Sequence, residues 1–242
     1  NSYREGSMDA ASFEVPRGFS RTYRSGQTRA TVAQVWLAIC GFVAVLGAMH
    51  FLSGFNLIDQ ARSGLVTQAD ANAFDGQTLV LQWVDTLLFF PTGIVFLAWL
   101  SRTVDNVPVL GAGRPSVTPG WSIGWWFVPV ANFFKPYLIV RDLNTRLAPV
   151  ALAAGNGLIL VWWIAWIARY PAEVLQLGLG APDNLDSLGG WFMAGVVYDV
   201  VTLVAAALAV LVVRQVQARA VARAAEMAIA MAPAAGTGLQ DA

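Results

Sequence analysis

The sequence predicts an all-α, multi-spanning membrane protein, and three observations carry that reading. Of its 242 residues, 57% are hydrophobic and only 12% are charged, about half the charged share of an average soluble domain. The apolar residues gather into runs of roughly 20, enough at ~1.5 Å per residue to cross ~30 Å of hydrocarbon as a helix. Arginines stand at the ends of those runs, where their charge reaches headgroups and water.

The elements follow in order. Residues 1–31 are polar, carry five arginines (Arg4, Arg17, Arg21, Arg24, Arg29) and lack the apolar run of a cleavable signal, so they read as a disordered basic arm held at anionic headgroups. Residues 32–213 read as the membrane domain. Its spans are 32–55, apolar apart from Gln34, His50 and Ser53, then 79–100, 150–168 and 188–213, with Arg102, Arg169 and Arg214 closing the last three. Between spans, 56–78 mixes Ile58, Leu65, Val66 and Phe74 with polar residues and suits an amphipathic extension of a membrane helix; 169–187 is the other outer loop. Residues 214–242 read as a cytoplasmic helical extension to Met231, stopped before Pro233 because proline cannot continue the hydrogen-bond ladder, and then a flexible tail.

Residues 121–140 are long enough to span but contain Gly124, Pro129, Asn132, Lys135 and Pro136. Charge placement arbitrates. With four spans and this segment on the inner side, thirteen of the fifteen Lys and Arg lie inside, leaving Arg62 and Arg169 outside. With five spans the division is eight to seven. The positive-inside rule therefore favours four spans with both termini cytoplasmic, and 121–140 becomes an interfacial or re-entrant element whose aromatic residues settle at headgroup depth.

The densest pattern lies between the second and third spans: Trp99, Arg102 and Asn106, then Pro119-Gly120-Trp121, Gly124-Trp125-Trp126-Phe127-Val128-Pro129, Asn132, Pro136, Arg141 and Asp142. These residues resemble the bacterial integral membrane proteins grouped as domain of unknown function 4328, over roughly residues 35–215, with Asp142 where that family is expected to carry glutamate. The resemblance implies a multi-spanning fold, a bacterial inner membrane and no particular reaction. Physically, Arg102, Asn106, Trp121, Trp125, Trp126, Pro129, Asn132, Lys135, Pro136 and Arg141 read as a platform for lipid or a partner protein. Arg102 is placed to snorkel to phosphate or to pair with Asp105 or Asp142, and Asn106 to cap or cross-link the following loop. The bland alternative is that glycines permit close approach, prolines set bends and tryptophans anchor at the interface.

A second group is ionisable and intramembrane: His50, Asp85 and Asp199, with Arg169 near the outer end of its span. An ionisable side chain at that depth costs ~2.5–3.5 kcal/mol on insertion scales, so each is a candidate for proton or cation handling, against the plainer reading that they bond to hydroxyls, indoles or Arg169 and lock the helices. Cys40 is alone, so no internal disulfide forms, and one histidine excludes a bis-histidine haem. Fifteen basic residues balance fifteen acidic ones, leaving no field for nucleic acid. No nucleophile motif, H-E-x-x-H pair or phosphate loop occurs, so no catalytic or metal residue and no cofactor is assigned. The resulting expectation is a non-catalytic accessory, scaffold or regulatory subunit that meets lipid, a protein partner or a second copy of itself. The alternatives are a small transporter or channel component using Asp85, Asp199 and His50, and a cofactor-binding subunit of an electron-transfer complex.

Overall fold

The computed structural model describes residues 17–20, 22–148, 155–178, 182 and 184–231. Six helices are present among them: α1 (Gln27–Arg62), α2 (Gln68–Val109), α3 (Pro119–Gly124), α4 (Lys135–Arg146), α5 (Gly157–Gly178) and α6 (Leu185–Met231). Four of these, α1, α2, α5 and α6, are long and apolar enough to cross a membrane. The five-span alternative is not realised, because 121–140 is broken into the end of α3, a turn, a 3-10 turn at Ala131–Phe133 and the start of α4.

The helices overrun the expected spans. α6, with 47 residues, is ~70 Å long at the helical rise, more than twice the hydrocarbon thickness. α1 and α2 run on until only residues 63–67 separate them, so the mixed segment 56–78 is helical extension. Thr67 opens α2 through a reciprocal cap: its hydroxyl accepts from the Asp70 N–H and the Asp70 carboxylate accepts from the Thr67 N–H, satisfying two otherwise unpaired donors. α5 continues through Arg169 and Pro171 to Gly178, beyond the expected end at 168; residues 149–154, including its expected start at Val150, lie outside the described residues.

Packing begins with α1 against α6, the most extensive contact, followed by α5 on α6 and α2 on α1. The buried face of α1 reads Ala30, Ala33, Leu37, Gly41, Ala44, Gly47, Phe51, Gly54, Ile58, steps of three and four that keep one seam toward an antiparallel neighbour. α6 answers with Phe192, Gly195, Asp199, Thr202, Ala206, Ala209, Val213, Val216 and Ala220. Lipid tails are as apolar as leucine, so helices associate through close fit of small residues rather than through hydrophobicity. A Cβ on Gly41 would touch Leu203 and Ala206. One on Gly54 would lie 2.6 and 2.8 Å from Phe192 ring carbons, and one on Gly195 would lie 2.6 Å from the Phe51 ring. Each helix thus presents a phenylalanine to a glycine of the other.

Two apolar cores result. The larger lies at the end carrying the termini, where Trp99, Leu100, Val104, Val107, Ile139, Leu143, Trp162, Val213 and Val216 pack together. The smaller lies at the opposite, hairpin end around Phe51, Ile58 and Phe192. The α6 extension is part of the larger core and not a free solvated arm. Arg219 donates to the Asn144 carbonyl, and Arg223 donates to the carbonyls of Leu110 and Gly111, neutralising the C-terminus of α2. Gly111 and Gly113 sit there at φ 61° and 77°, a turn glycine adopts without strain.

Of the expected basic arm, residues 1–16 and Arg21 lie outside the described residues, while Ser20 and Arg24 are bound to α2. Asp105 accepts from the Ser20 N–H at 2.8 Å and hydroxyl at 2.6 Å, and α1 has begun by Gln27. The expected tail, 232–242, also lies outside the described residues.

Candidate functional site

The expected platform divides into three structures with different tasks. The first is a clamp. Asn106, buried, accepts from the Arg24 N–H at 3.3 Å and donates to the Arg24 carbonyl at 2.8 Å, imitating a backbone pairing. Arg102 pairs with Asp105 at 3.8 Å, one of the two partners the sequence offered; Asp142 instead binds Arg146 at 2.7 Å and the Ser116 N–H at 3.0 Å. Trp99 donates from its indole to Gln217 of α6 at 3.2 Å. The W-x-x-R-x-x-x-N run therefore fastens the chain entering α1 and the Gln217 turn of α6 onto α2.

The second is an outward aromatic face. Trp121 and Trp125 stack at 5.0 Å, Lys135 lies over Trp125 at 5.1 Å, and Arg141 lies over Tyr137 at 5.4 Å. Trp121, Phe127, Phe133 and Phe134 are exposed, as interfacial anchors are. Thr118 caps α3 and Pro119 begins it, a position where the missing N–H is harmless. Pro136 occupies the equivalent first turn of α4. After Pro129 the chain reverses through Val130 at φ 66°, a left-handed conformation that a β-branched residue adopts only under strain.

The third is a wedge. The Trp126 ring meets Phe96 of α2 at 5.5 Å and Trp163 and Trp166 of α5 at 6.1 Å, all edge-on. It closes the terminal end of a groove of about 290 Å³ between α2 and α5. Gly93, Ile94 and Phe90 of α2 and Trp162, Trp166 and Tyr170 of α5 form its walls, while Ala205, Ala206 and Ala209 of α6 form its floor. Cys40 also lines this groove and meets Thr92 at 3.2 Å. Three lining residues hold buried polar atoms without a hydrogen-bond partner among the described residues: the indole nitrogens of Trp126 and Trp162 and Oδ1 of Asn132.

At its other end the groove meets a polar belt. Arg169 donates to Thr202 and to Tyr198, each at 3.1 Å, and lies over Trp166 at 5.1 Å. Tyr198 in turn donates to Asp85 at 3.4 Å. Asp85 lines both this groove and a larger cavity at the hairpin end, which His50 and Asp199 also line. The fold thus gathers His50, Asp85, Asp199 and Arg169 into one connected region. His50 is bonded to Thr78 at 2.7 Å and stacked on Phe74 at 4.1 Å. No group of three or more His, Cys, Asp or Glu able to hold a metal occurs among the described residues.

Sequence reading missed Tyr198, Thr202, Glu173 and Gly47, which complete this region. Gly47 was detectable as one of the small residues spaced three and four apart along α1. Tyr198 and Thr202 belong to an almost uniformly apolar run, where nothing local marks the face that meets Arg169.

A family model described as domain of unknown function (DUF4328) matches residues 62–218. The chain belongs to that family, whose matched segment takes in α2 through most of α6 and so the wedge, the α2 side of the clamp and the α2, α5 and α6 walls of the groove. Neither a curated protein nor a solved structure matches the chain.

Proposed function

We propose that this member of the DUF4328 family is a non-catalytic accessory protein of the bacterial inner membrane that holds the hydrocarbon chain of a membrane lipid in the α2/α5 groove. One observation carries the reading: the groove is apolar along its walls and floor but contains unpartnered buried polar atoms on Trp126, Trp162 and Asn132. Burying such groups without a partner is unfavourable; the ester oxygens of an amphiphile accept from the two indole N–H groups, and a hydroxyl donates to Asn132 Oδ1. Phe90, Ile94 and Phe127 at the groove are exposed, which gives a chain a lateral way in from the bilayer. The aromatic face around Trp125 and Lys135 suits the adjoining headgroups.

Gly93 provides the test, since it lines the groove and a Cβ there meets nothing within 4 Å. Native mass spectrometry of gently extracted wild-type protein is expected to show a stoichiometric lipid. Gly93→Leu is expected to lose it with no fall in melting temperature, because leucine is the better helix former. Only bulk lipid on the wild type, or full retention in the variant, would refute the groove.

Four crossings place both termini on one side, and the arginine distribution supports the cytoplasmic side. In a Cys40→Ala background, an impermeant thiol reagent added outside is expected to label Ser63→Cys and spare Ser116→Cys, both positions being exposed. The reverse pattern would invert the protein.

A further inference from the structure

The hairpin-end cavity, about 720 Å³, is lined from all four long helices. It is acidic: Asp85, Glu173 and Asp199 line it, and among the described residues no lysine or arginine does. Asp199 occupies the α1/α6 seam at 9% exposure, and no hydrogen-bond donor among the described residues reaches its carboxylate; Oδ2 is sealed from solvent. The carboxylate fits there because Gly47 has no side chain. A Cβ on Gly47 would lie 2.5 Å from Oδ2 and 2.8 Å from Cγ of Asp199.

We propose that this cavity binds a small organic ammonium ion, with Asp199 and Asp85 accepting its N–H groups. A carboxylate held in the middle of a bundle is unfavourable until a donor or an opposite charge meets it. Arg169, which lines the adjoining groove, does not supply that charge. Its guanidinium is spent on Tyr198, Thr202 and the Trp166 face, and no ion pair joins it to Asp85 or Asp199. His50, the remaining titratable group of the lining, is engaged with Thr78 and Phe74. Trp191 also lines the cavity, and an aromatic face attracts an ammonium within ~6 Å of the ring; the Tyr198 ring already meets Arg169 at 5.8 Å. A divalent metal would need six or so converging oxygens, whereas an ammonium is satisfied by two carboxylates and a ring. The cavity adjoins the lipid groove at Asp85, but its occupant does not depend on that reading.

Isothermal titration calorimetry on the full chain in nanodiscs, with 2-phenylethylammonium chloride as probe and 2-phenylethanol as its neutral counterpart, tests the site. Saturable binding of the ammonium and none of the alcohol is expected. Asp199→Asn and Asp85→Asn should each weaken binding at least tenfold, and so should Gly47→Ala, which displaces the carboxylate without changing any charge. Asp85 lies on α2, outside the α1/α6 seam, so it keeps the test open where an Asp199 variant fails to fold. Gly93→Leu should bind the ammonium like the wild type. Equal binding of the alcohol, undiminished binding by Asp199→Asn or Asp85→Asn, loss in Gly93→Leu, or no saturable heat from the wild type would each overturn the proposal; the last includes the case in which Asp199 takes up a proton alone.

Discussion

Gly54→Ala will destabilise the protein by about 1–3 kcal/mol, the cost of overpacking a tight contact, although the same substitution in a free helix would stabilise it by up to ~1 kcal/mol. The sign follows from the seam. The added methyl would meet two Phe192 ring carbons at 2.6 and 2.8 Å, and that ring is buried among Phe51, Phe55 and Phe74, with little room to retreat. Either the ring leaves its rotamer or α1 and α6 separate at the hairpin end. Gly76→Ala is the control, since nothing lies within 4 Å of a Cβ there; it should be neutral or stabilising. Thermal unfolding in one detergent ranks the two. Gly54→Ala combined with Phe192→Leu should be less harmful than the sum of the single changes, because the smaller side chain yields space to the methyl. Additive losses, or a stabilised Gly54→Ala, would mean that the seam does not carry the α1/α6 pairing.

Trp126→Ala is the second large effect. The indole is gripped by one ring of α2 and two of α5, so truncation opens a cavity and should cost ~3–5 kcal/mol, as for other large aromatic truncations. Trp121→Ala, five residues earlier in the same motif, removes a side chain that is 54% exposed and should change stability by no more than ~0.5 kcal/mol, as surface substitutions do. Melting temperatures of the two variants separate a wedge from a uniform lipid-facing platform. Similar losses from both would show that the tryptophans act alike. The groove adds a second readout, since Trp126→Ala unstops its terminal end and should alter the co-purified lipid while Trp121→Ala leaves it in place.

The aromatic motif was visible in sequence as a unit but not as three devices. Trp121, Trp125 and Trp126 lie within six residues and have the same chemistry, and one-dimensional reading gives all of them the interface. What separates them is the short α3 followed by a strained reversal at Val130, which turns Trp126 between α2 and α5 while Trp125 meets Lys135. Arg102 reads in sequence as snorkelling to phosphate or pairing with Asp105 or Asp142, and Asn106 as capping or cross-linking the following loop. The Arg102–Asp105 pair is local to α2, whereas Asn106 binds the Arg24 backbone ahead of α1, a meeting that depends on where the entering chain crosses α2. The ionisable cluster was legible as a set of unusual residues. That Asp199 faces Gly47 while Arg169 faces Tyr198 was not legible, because the flanking residues are apolar on every side.

By itself the sequence determined that the chain is helical, that four of its segments are long and apolar enough to span a bilayer, and that its distinctive chemistry lies between the second and third of them. Those properties follow from bilayer thickness and from the need to satisfy backbone hydrogen bonds within each segment, and both are local along the chain. The tertiary structure alone decided which face of each helix is buried, which charges meet and where the groove and cavity open. A helix that is apolar all round carries no hydropathy contrast between its lipid-facing and protein-facing sides, so the choice falls to steric fit. In this protein that fit is set by Gly47, Gly54 and Gly195, where the absence of a side chain admits a carboxylate and two phenyl rings.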